Sequence, residues 1–76
     1  MREDSLPLCR NGLTRREAQV LNWLRIGYTN KQIAGQLGIS AGTVRAHVSH
    51  ILDKLHVRNR TAAAEKATKW LSDGSP

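Results

Sequence analysis

The sequence predicts an all-α domain, and three observations carry that expectation. Apolar residues recur at the three- and four-residue spacing of a helix, in four separate stretches. Each stretch is bounded by capping residues or glycine. Between them lie no strand-like alternation, no repeat and no low-complexity tract. At 76 residues the chain makes one small domain, burying only about 60% of the surface it exposes when unfolded, so a deep catalytic cleft is not expected.

Residues 1–12 (MREDSLPLCRNG) mix charge, Pro7 and Gly12 without periodicity and read as an arm or linker stub. The domain itself spans 13–71. Helix one opens at Thr14, where T-x-x-E (Thr14, Glu17) forms a capping box and Leu13 stands as a hydrophobic staple. Val20, Leu21 and Leu24 share its inner face, and Gly27 supplies the left-handed residue that ends it. Helix two is brief: Thr29 or Asn30 caps it, Ile33, Ala34 and Leu37 form its stripe, and Gly38 breaks it. Helix three has Ser40 as cap and runs from Ala41 to Leu55 or His56, with Val44, Val48, Ile51, Leu52 and Leu55 on one side. Helix four is capped by Asn59 or Thr61 and ends at Leu71, with Ala63, Ala64, Ala67, Trp70 and Leu71 along one broad side. Residues 72–76 (SDGSP) read as a loose tail.

Charge narrows the function. Twelve Lys and Arg against six Asp and Glu give a formal charge of +6, which favours a polyanionic partner. From Ala18 through Leu52 there is no carboxylate at all. A single cysteine, Cys9, cannot close an internal disulfide, which fits a reducing compartment. With no apolar run near the ~20 residues of a membrane span and no signal-peptide core, the expected setting is soluble and cytoplasmic.

Only Gly38 and Ile39 separate helix two from the Ser40 cap, too few residues for antiparallel stacking, so the two helices must cross steeply as a helix-turn-helix. Small Ala34 permits close approach, Gly38 takes the turn, Ile39 plugs the corner and Val44 anchors the second helix. In such a motif the second helix enters the major groove while the first lies across the backbone. The outward side of helix three holds Gly42, Ala46, Ser49 and Asp53, flanked by Arg45 on one edge and by Thr43 and His50 on the other. Arg45 can donate twice to guanine O6 and N7, Ala46 can meet a thymine methyl, and Ser49 can donate or accept. Backbone contacts are expected from Thr29, Asn30 and Lys31 at the start of helix two, from Thr43 and His50, and from Arg58 and Arg60 in the loop after helix three.

The pieces LTRRE, G-x-TNKQIA, L-x-IS-x-x-TVR-x-H, IL-x-KL-x-V and RNRT, all between Leu13 and Ala64, resemble the LuxR/GerE-type helix-turn-helix domain of bacterial transcription regulators. The resemblance implies a four-helix domain that binds pseudo-palindromic double-stranded DNA as a homodimer. It implies base contacts from Arg45, Ala46 and Ser49, backbone contacts around Thr29, Asn30, Lys31 and Thr43, and pairing through helix four, which assigns Ala63, Ala67, Trp70 and Leu71 to the interface. It also implies an upstream receiver or ligand-sensing domain in many members, and leaves open whether this chain is a stand-alone regulator or a C-terminal piece.

Other chemistries fit poorly. His47 and His50 form H-x-x-H, followed by His56, but no Cys or carboxylate is spaced to complete a tetrahedral metal site. Ser49, His50 and Asp53 do not make a hydrolase, because Ser49 and His50 diverge by about 100° on a helix. No cofactor and no enzyme activity are expected. Trp23 and Trp70 read as core or interface, and His47 as packed. A second reading stays open: the module chiefly docks protein, sequestering a related regulator through helix four or contacting RNA polymerase, with little DNA binding of its own.

Overall fold

A computed structural model of the chain describes residues 11–72. Among them four helices follow in order: α1 (Arg15–Arg25), α2 (Asn30–Leu37), α3 (Ala41–Leu55) and α4 (Arg60–Ser72). Cys9, expected as an unpaired thiol, lies outside the described residues, as do most of the expected arm and all of the tail beyond Ser72.

Local chemistry sets the boundaries. Thr14 and Glu17 close a reciprocal box, with Glu17 N donating to Thr14 Oγ1 at 3.1 Å and Thr14 N to Glu17 Oε1 at 2.9 Å. Thr29, not Asn30, caps α2, through the same arrangement with Gln32. Ser40 caps α3 by accepting from Thr43 N at 3.1 Å. The α1 chain turns out of the helix at Gly27 (φ +93), and α2 ends at Gly38 (φ +69), both in the left-handed region that costs an L side chain energy. At the end of α3 that role falls to His56 (φ +57), and Val57 N closes the turn on the Leu52 carbonyl at 3.1 Å. Helix four starts two residues earlier than a Thr61 cap would allow. Asn59 Oδ1 accepts from Ala62 N at 2.8 Å, so Thr61 lies inside α4 and Arg60 opens it.

Helix α1 packs against both α3 and α4, and α2 packs against α3. Leu21, Ile33, Ile51, Leu55, Val20 and Val44 are fully enclosed where these helices meet. Ala63 and Ala67 are also fully enclosed, because their single methyls let α4 come close to its neighbours. They are core residues of the chain itself. The expectation that they face a second subunit is therefore corrected: a side chain sealed inside one body has nothing to offer another. Trp70 and Leu71, at the C-terminal end of α4, are half-buried.

One acid, Glu17, is buried. Lys54 Nζ of α3 donates to its Oε1 at 2.7 Å and to the Gly12 carbonyl at 3.0 Å, so one ammonium ties the turn before α1 to the last turn of α3. Burial alone raises the Glu17 pKa, but the hydrogen bonds from Lys54 and Thr14 and the Lys54 charge outweigh it, leaving the carboxyl below its ordinary value of 4.5.

Candidate nucleic-acid interface

The α2–α3 corner forms as its residues require. Gly38 N and Ile39 N both donate to the Ala34 carbonyl, at 2.8 and 3.1 Å, Ile39 packs on the core, and Val44 is fully buried. This fixes which side of α3 faces out. Gly42, Thr43, Arg45, Ala46, Ser49, His50 and Asp53 are all exposed, whereas His47 is half-buried, as its place beside the apolar face predicts.

Along that face the chemistry is graded. The side chains of Arg45, Ser49 and Lys31 make no hydrogen bond or ion pair within the described residues and are free to meet another molecule; that of Arg58 is likewise unpaired there. Thr43 Oγ1 lies 2.9 Å from Ser40 Oγ, so its hydroxyl is shared with the cap. His50 Nδ1 stands 3.8 Å from Glu17 Oε2, a contact that becomes an ion pair when the ring is protonated. Of the acids among the described residues, only Asp53 and Glu65 are exposed, and Asp53 lies near the far end of α3.

At the α2 N-terminus the structure adds a connection that the sequence does not announce. Arg60 Nη1 donates to Asn30 Oδ1 at 2.8 Å, and Nη2 donates to the Tyr28 carbonyl at 2.9 Å. The sequence reading places Arg60 in a loop as a phosphate contact. It stands instead on the first turn of α4, half-buried, with part of its fork already engaged. No local pattern signals a bond across thirty residues of chain.

Among the described residues no group of three or more His, Cys, Asp or Glu could hold a metal ion, and no helix is long and apolar enough to cross a membrane.

A short helix, a glycine-tight turn and a second helix with an exposed, acid-poor outer face together define a helix-turn-helix DNA-binding domain. The family model of bacterial regulatory proteins of the LuxR family, GerE, matches residues 11–67. The chain belongs to this family of DNA-binding regulator domains, and double-stranded DNA is its partner class.

Proposed function

We propose that the chain controls transcription in the bacterial cytoplasm by binding pseudo-palindromic sites as a dimer, with α3 in the major groove. Arg45, Ala46 and Ser49 read base edges. Thr29, Asn30, Lys31, Thr43, His50 and Arg58 hold the flanking phosphates. The outer flank of α4, near Trp70 and Leu71, pairs the subunits.

The observation that supports this reading most directly is the exposed and unpaired Arg45, standing beside the short side chains Ala46 and Ser49 on a face with no acid before Asp53. A guanidinium held by nothing among the described residues can give both donors to a guanine. Short neighbours let the helix sit deep enough for it to arrive.

The test is in vitro site selection at a stated salt concentration, followed by binding isotherms on the selected duplex. Arg45→Ala should lose about 1 to 3 kcal/mol on that duplex and relax preference at one base pair. An isotherm unchanged by the substitution would remove Arg45 from base reading and favour a protein-docking role for the module. Sedimentation on and off DNA reads the proposed pairing, and monomers bound independently to half-sites would refute it.

A further inference from the structure

We propose that Arg60 is a positioning residue: it locks the Asn30 carboxamide so that the side-chain nitrogen is presented outward, as donor to a DNA phosphate. This rests on the DNA-binding reading above and deepens it at the α2 N-terminus.

The chemistry of the pair dictates the orientation. A guanidinium carries five N–H donors and no acceptor, so the only part of a carboxamide that can face it is the oxygen. Asn30 Oδ1 accordingly accepts from Arg60 Nη1 at 2.8 Å. The Asn30 Nδ2 group then lies on the opposite side of the carboxamide, and its two N–H donors have no acceptor among the described residues. Arg60 is itself held flat by its second bond, from Nη2 to the Tyr28 carbonyl at 2.9 Å. The Tyr28 ring in turn stacks on Trp23, with centroids 6.3 Å apart and planes 21° from parallel, which stiffens the turn carrying that carbonyl. Without the guanidinium, the carboxamide can turn over and offer its oxygen to a phosphate, a repulsive arrangement. If Arg60 swung out to touch DNA itself, Asn30 Oδ1 and the Tyr28 carbonyl would lose their shared donor.

A double-mutant cycle on the selected duplex tests the assignment, with folding of each variant checked by circular dichroism. Arg60→Lys keeps the positive charge and the reach of a phosphate contact but loses the planar fork. It should weaken binding about three- to tenfold, the effect of one hydrogen bond. Asn30→Ala should weaken it similarly, and the double variant should be no worse than Asn30→Ala alone. Additive losses, or an Arg60→Lys chain that binds like the parent, overturn the proposal while leaving DNA binding intact. Asn30→Asp keeps an acceptor for Arg60 but replaces the outward donors with a carboxylate oxygen, so it should bind more weakly than Asn30→Ala; parental affinity for it also overturns the proposal. A parent chain that selects no duplex overturns the proposal together with the reading beneath it. In the free protein, NMR should show the Asn30 side-chain amide fixed in the parent and averaged in Arg60→Lys. An amide equally fixed in both refutes the lock without any DNA present.

Discussion

Lys31 and Arg45 are both exposed cations without a partner among the described residues, yet they should fail differently when removed. Lys31 stands on the first turn of α2, where a phosphate is favoured by the helix dipole and open amides but base edges are out of reach. Lys31→Ala should therefore weaken specific and nonspecific duplexes alike and flatten the salt dependence by about one unit in the log–log slope. Equal slopes for variant and parent would take Lys31 off the contact surface. Glu17 makes a different residue-level case, one of stability. Its folded carboxyl titrates below the ordinary 4.5, so between those two values the unfolded chain binds more protons than the folded one. The stabilisation is complete above 4.5 and is lost as the pH falls through the lower folded value. Melting curves across the acid range should show this limb in the parent and a flatter one in Glu17→Gln. Lys54→Met removes the ammonium 2.7 Å away and should cost about 1.5 to 3 kcal/mol, the range for a hydrogen bond to a charged group. The low end is the better guide, since the Lys54 side chain is 35% exposed.

Within single elements the sequence is transparent. Thr14 with Glu17, Ser40 before α3, and Gly27 and Gly38 after α1 and α2 mark their boundaries by chemistry that acts over three or four residues. The glycines also separate two kinds of requirement. Gly38 sits at φ +69, where nothing lies within 4 Å of an added Cβ but the backbone itself disfavours one. Gly38→Ala should destabilise the domain by about 1 to 2 kcal/mol in urea titrations. Gly42, inside α3, has no such backbone need, and an added Cβ would meet only Ser40 Oγ at 3.8 Å. Gly42→Ala should thus stabilise the free chain by about 0.5 to 1 kcal/mol. A destabilised Gly42→Ala would show that packing within the chain requires the glycine.

At the scale of the whole molecule, the sequence is legible in architecture and opaque in its long-range bonds. The four helices and the inward side of α3 follow from spacing. The Lys54 bonds to Glu17 and Gly12, and those of Arg60 to Asn30 and Tyr28, join residues about thirty to forty positions apart. Nothing in either neighbourhood encodes them. Helix α4 shows the same limit: an alanine-rich helix has too little contrast between its sides to say which alanines the core takes, so Ala63 and Ala67 were legible as apolar but not as sealed. The net charge of +6 is a property of the entire surface, and it makes weak binding to any duplex strongly dependent on ionic strength.

Helix α4 reaches both helices of the helix-turn-helix: Arg60 grips the start of α2, and Lys66 Nζ donates to the Leu55 carbonyl at the end of α3, 3.2 Å away. The smallest unit able to read a duplex is then the intact bundle rather than the two-helix corner. A peptide cut after Arg58 would leave the pocket for Ala63 and Ala67 agape and both fastenings undone. It should be a fluctuating coil whose amide protons exchange within seconds.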